Sequence, residues 1–187
     1  PLIAELSKSL PKSTEVIYLS DADAFNKLQS NIPLDLYEHI NNALNQTKRN
    51  ASAFQSGNTV VLVGSQAAGK SSLDMPTILH ELMHVVTHKV VNNYLNGGNL
   101  TNTQRNGMTA LETMFNAIKP TVAARIANKE NTALAYAMEN MHEFVSVVAT
   151  NPAAAQEVSM IATGIDGLSM TDYSNAMADV LGISSKD

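Results

Sequence analysis

His80, Glu81 and His84 form the pattern H-E-x-x-H within Ile78-Leu79-His80-Glu81-Leu82-Met83-His84-Val85-Val86. On an α-helix, residues four apart lie one above the other on the same face. Two imidazoles placed this way can reach a single metal ion. Glu81 projects to the side of that pair, where it can hold a metal-bound water but does not easily ligate the metal. Two neutral nitrogen ligands and one carboxylate base are what a zinc hydrolase needs. The bare pattern also arises by chance, as half-exposed polar residues in arbitrary order. Here the flanks Ile78, Leu79, Leu82, Met83, Val85 and Val86 are all uncharged, which predicts a mostly buried helix. Burying two histidines and a glutamate is costly unless something compensates the charge.

Catalytic zinc usually takes three protein ligands and a water, so a third group must come from elsewhere in the chain. One arrangement places a histidine six residues after the second, following a glycine; those positions are Val90 and Thr87 here, which closes that route. Another uses an aspartate in a Gly-Thr-x-Asp-x-x-Tyr-Gly setting, of which Thr163-Gly164-Ile165-Asp166 and Thr171-Asp172-Tyr173 are only fragments. The third route is a glutamate on a later helix. The pattern predicts a helix over 132–150 that carries Glu139, His142 and Glu143. Tyr136 lies seven residues before Glu143, nearly two turns at about 100° per residue, so the two are expected to share a face. Glu139 and His142 fall near that face as well, and periodicity alone does not choose among the three.

Tyr136 together with Asn140-Met141-His142-Glu143-Phe144-Val145-Ser146, following the H-E-x-x-H motif at this distance, resembles the gluzincin peptidases typified by the catalytic domain of anthrax lethal factor and related toxin- and phage-encoded enzymes. The resemblance covers roughly residues 58–152; the N-terminal third and the last thirty residues fall outside it. It implies a zincin-like metallopeptidase fold with one zinc ion per chain. It implies His80, His84 and Glu143 as ligands, Glu81 as the base, and Tyr136 as a group facing the reacting carbonyl. His88, one turn past His84, could stand behind the ligands but reads more simply as a surface or helix-end histidine; His142, His39 and Lys70 read as bystanders.

These residues need elements to position them. Thr14–Leu19 is rich in β-formers and reads as a strand. Ser20-Asp21 can cap a helix over about 22–30, which Asn31-Ile32-Pro33 ends. Leu36, Ile40 and Leu44 recur at spacing four, predicting an amphipathic helix over 34–47. Residues 51–56 and Thr59–Val63, separated by Gly57-Asn58, read as a hairpin. Val60, Val61, Leu62 and Val63 are the candidate edge strand, whose backbone an extended substrate could pair with. Pro76 suits the first turn of the metal-site helix, which should end at Asn96-Gly97-Gly98. Beyond Gly98 only helices are expected: 103–118, 121–129, 132–150, 152–161 and 171–181, with Pro120 and Pro152 as boundaries. The whole is one α+β domain over 1–187, sheet-containing to about residue 98 and helical from 99 onward.

The totals exclude several classes of function. A chain of 187 residues is of ordinary size for one domain. A net charge of −5 with no basic run beyond Lys48-Arg49 argues against nucleic acid or an anionic membrane as partner. The absence of cysteine excludes disulfides, thiolate zinc sites and a thiol nucleophile. No apolar run is long enough to span a bilayer. Pro1-Leu2-Ile3-Ala4-Glu5 is not a signal peptide, and the missing initiator Met suggests a processed piece of something longer, such as a polyprotein or toxin. Injected, secreted and cytoplasmic effectors all fit these letters.

Gly64-Ser65-Gln66-Ala67-Ala68-Gly69-Lys70-Ser71 competes with the metal motif, since it matches the phosphate-binding pattern G-x-x-x-x-G-K-[ST]. A P-loop opens directly into a long helix, and Pro76 would interrupt that helix. Further strands alternating with helices are also required, and none is expected after residue 98. A Gly/Ala/Ser connection from strand to metal helix is the simpler reading. The sequence therefore points to zinc-dependent hydrolysis of a protein or peptide. The alternatives are a catalytically inactive zincin-like binding module of a larger toxin or phage protein, and a nucleotide-binding protein using Gly64–Ser71.

Overall fold

The computed structural model describes residues 10–19, 34, 37, 38, 41, 42, 53–56, 59–63 and 75–183. The helix expected over 22–30, the Gly57-Asn58 turn and the stretch Gly64–Ser71 lie outside the described residues. Of the helix expected over 34–47, Leu34, Tyr37, Glu38, Asn41 and Asn42 are helical. The chain divides into two compact units, residues 1–85 and 86–187, and the division falls within one helix.

The first unit holds a three-stranded sheet of β1 (Glu15–Leu19), β2 (Ala53–Ser56) and β3 (Thr59–Val63), in the order β1-β3-β2. β2 and β3 pair antiparallel, with Ser56 opposite Thr59 and Ala53 opposite Leu62, which is the expected hairpin. β1 joins β3 in parallel, Glu15 opposite Thr59 and Leu19 opposite Val63. This corrects one expectation. Val60, Val61 and Leu62 lie between two strands and Val63 still pairs with Leu19, so β3 is the central strand and not an edge. The pairing with β1 on one side and β2 on the other makes it central, and its run of β-branched residues fits a strand covered on both faces. Val60 and Val61, which point to opposite faces, are both fully buried. A substrate cannot add its backbone along β3.

Helix α1 (Met75–Leu95) follows, with Pro76 in its first turn. Val60 of β3 packs with Val85, Ile78 and Leu82 of α1 and with Leu10. At about 100° per residue, Ile78, Leu82 and Val85 form one stripe, and His80 and His84 lie about 150° round from it. Packing against the sheet therefore leaves the histidine pair on another face. α1 ends as the sequence predicts. Gly97 adopts φ 68°, a left-handed conformation that suits glycine. Its N–H bonds to the Tyr94 carbonyl at 3.4 Å, while that of Gly98 bonds to the Asn93 carbonyl at 2.6 Å.

The second unit contains α2 (Asn102–Ala127), α3 (Met141–Thr150), α4 (Pro152–Ala162) and α5 (Met170–Leu181). α2 corrects the expectation of two helices divided at Pro120, because the helix runs through that residue. Pro120 removes one N–H and crowds the carbonyl four residues back. Here Pro120 and Asn116 are both on the exposed side, so water can satisfy that carbonyl. Ile118 and Val122 on the opposite face are fully buried and hold both halves of the helix to the core. Gly107 permits the close approach of α2 and α5: a Cβ there would lie 2.6 Å from the Ala176 carbonyl oxygen.

The second correction bears on the site. No helix begins at Thr132. Residues 133–138 form turns and helix starts only at Met141. Asn140 is the N-cap, with extended backbone at φ −162° and ψ 173°, and its side chain accepts the N–H of Glu143. Asparagine favours such a cap because its short side chain bonds the free donors of the first turn. Asn151 then closes α3 with its N–H and caps α4 with its side chain.

Candidate metal centre

His80 and His84 stand one turn apart on α1. Their Nε2 atoms are 3.0 Å apart and their rings meet edge to face, with centroids separated by 4.5 Å. Two nitrogens bound to one tetrahedral zinc at about 2.0–2.1 Å stand roughly 3.3 Å from each other. The observed separation, a hydrogen bond between the two rings, is close to that value. His84 and Glu81 are buried, each 9% exposed, and His80 is half-buried.

Glu143 is the third residue from the N-terminus of α3, and Asn140 holds its N–H at 3.0 Å. Its Oε2 is shielded from solvent. A carboxylate in the first turn of a helix is favoured by the positive end of the helix dipole. One ligand atom from each of His80, His84 and Glu143 lies within 4.8 Å of the others, so the three could hold a metal ion. Two imidazole nitrogens and a carboxylate oxygen are a donor set that suits zinc, leaving a fourth position for water.

Glu139 and His142, also weighed as ligands, are not part of this group. Glu139 is exposed in the turn before α3. Tyr136 is 50% exposed in the same turn segment, so the expectation that it shares a helix face with Glu143 does not hold. His142 turns to a different set of partners. Its Nε2 bonds Oδ1 of Asn92 at 3.1 Å, and Asn92 donates from Nδ2 to Nε2 of His88 at 2.7 Å. From the sequence His142 reads as a bystander and His88 as a helix-end histidine that could stand behind the ligands. Asn92 was the missed residue; its spacing of four from His88, continuing the spacing of His80, His84 and His88, is the signal that could have found it.

α3 is fixed from within the second unit. Phe144 is fully buried between Phe115 of α2 and Tyr173 of α5, with ring centroids 5.4 and 6.1 Å away. The Tyr173 hydroxyl donates to the Val145 carbonyl at 2.9 Å. Burial pushes the Tyr173 phenol well above its usual range.

Among known proteins, no family model, curated protein or solved structure matches this chain.

Proposed function

We propose that the protein is a zinc-dependent endopeptidase that hydrolyses a protein or peptide through a metal-activated water. The grouping of His80, His84 and Glu143 is the observation that carries this reading, with one ligand atom from each within 4.8 Å of the others. His80 and His84 would hold the ion through their ring nitrogens and Glu143 through a carboxylate oxygen. Bound zinc supplies a Lewis acid that lowers the pKa of its water to about 7 and polarises the scissile carbonyl. Glu81 takes the proton as the water attacks and passes it to the departing nitrogen. Its near-complete burial keeps the carboxylate out of bulk water. Tyr136, half-exposed on its turn, is assigned the task of donating a hydrogen bond to the developing oxyanion. The resemblance to lethal-factor-like gluzincins supports the same assignment of roles.

Glu81→Gln tests this proposal. The variant should retain zinc and lose turnover of a protein panel by about 100-fold or more. Near-full activity in Glu81→Gln would show that the base is wrongly assigned. Zinc bound by a wild-type chain that cleaves no protein of the panel would support the inactive zincin-like module instead. No helix among the described residues is long and apolar enough to cross a membrane.

A further inference from the structure

His80, His84, His88 and Asn92 recur every four residues along α1. Residues at this spacing are neighbours on a helix surface and form one slowly turning stripe. Two consecutive residues of α3 address that stripe at different heights: Glu143 groups with His80 and His84, and His142 bonds Asn92. The His88 and His142 rings lie 5.3 Å apart, tilted by 34°, with the Asn92 amide bonded to both. All three side chains are half-buried.

The bridge is directional. A carboxamide offers a donor at one end and an acceptor at the other. One imidazole must therefore present a bare nitrogen to it and the other an N–H, whichever way the amide is turned. As placed, His88 accepts and His142 donates. A side chain that neither donates nor accepts makes neither bond.

We infer that Asn92 is a positioning residue of the proposed metal centre. Through His142 it fixes the first turn of α3 against α1, and thereby sets where the next residue, Glu143, presents its carboxylate. This rests on the zinc reading above. It adds a third point to what holds α3: the Asn140 cap fixes where the helix starts, Tyr173 and Phe144 fix its buried face, and Asn92 fixes the height of its first turn.

The test measures zinc affinity by competition with a chelator, and the visible spectrum of the cobalt-substituted protein, which reports on the ligand geometry. Asn92→Leu preserves approximate volume and removes both bonds. His142→Leu removes the His142 bond from the other side and decides the matter if Asn92→Leu does not fold. His142→Gln keeps an N–H that can reach Asn92. Both Leu variants should bind zinc roughly 10-fold more weakly or worse and show an altered cobalt spectrum, as loss of outer hydrogen bonds typically costs metal sites. His142→Gln should remain near wild type. Wild-type affinity and spectrum in the Leu variants would overturn the inference, as would a His142→Gln variant as impaired as His142→Leu. A wild-type chain that takes up neither zinc nor cobalt would instead remove the metal reading itself, and this positioning role with it.

Discussion

The Asn140 side-chain oxygen accepts the backbone N–H of Glu143 at 3.0 Å, and with that bond α3 begins. The proposed third ligand therefore sits in the first turn of a short helix, near the positive end of its dipole, and not in the middle of a long one. Tyr136 lies on the preceding turns, outside that helix.

Asn140→Ala should accordingly do two things. Loss of the cap should destabilise the protein by about 1 kcal/mol, measured by urea denaturation of the metal-free chain. It should also weaken zinc binding, because fraying of the first turn loosens Glu143. Unchanged zinc affinity in Asn140→Ala would mean that Glu143 is held in place without its cap.

Glu157 on α4 organises the turns before α3. Its Oε1 accepts from Arg125 Nη1 and from Thr132 Oγ1, both at 2.7 Å, and its Oε2 accepts from the Ala133 N–H at 2.8 Å. Glu157→Ala would leave a guanidinium, a hydroxyl and an amide without this carboxylate. We expect a loss of about 2 kcal/mol and faster hydrogen exchange at Ala133. Arg125→Ala should cost less, because the arginine side chain is 30% exposed and solvent can replace part of the ion pair. Equal protection of Ala133 in Glu157→Ala and wild type would contradict this role.

Tyr173 gives the fold an alkaline limit. Burial raises the pKa of its phenol above the value of 10.0 expected for an unfolded tyrosine. The folded state thus holds the proton more tightly than the unfolded state. Its contribution is fully present below about pH 10 and is lost as pH rises above that. Tyr173→Phe should lower stability near neutrality by about 1 kcal/mol, the worth of one buried hydrogen bond. It should also flatten the decline in stability above pH 10, as followed by thermal unfolding across pH. An unchanged alkaline slope would show that other groups set that limit.

Much of this was legible in the letters, and the exceptions have physical causes. H-E-x-x-H carries its geometry in its spacing, because a helix puts residues four apart on one face. The hairpin and the Gly97 helix end were equally readable, since turn chemistry and left-handed backbone depend on single residues. β3 was read as an edge because pairing with β1 depends on a partner about forty residues away, and a buried β-branched run looks alike at an edge and in a centre. Pro120 suggested a helix break, but the packing of Ile118 and Val122 outweighs the lost hydrogen bond. The helix over 132–150 failed for a local reason that could have been seen: Asn140 followed three residues later by Glu143 is a capping pattern. The His88–Asn92–His142 bridge joins two helices, and only the spacing of its α1 half was visible beforehand.

The metal content of the chain tests the central claim most directly. After loading with zinc and exhaustive dialysis, elemental analysis should find about one zinc per wild-type chain. Glu143→Ala should retain much less, and Glu139→Ala as much as wild type. A wild-type chain without zinc, or a Glu143→Ala variant that keeps its full complement while Glu139→Ala loses it, would contradict the assignment of His80, His84 and Glu143 to one ion.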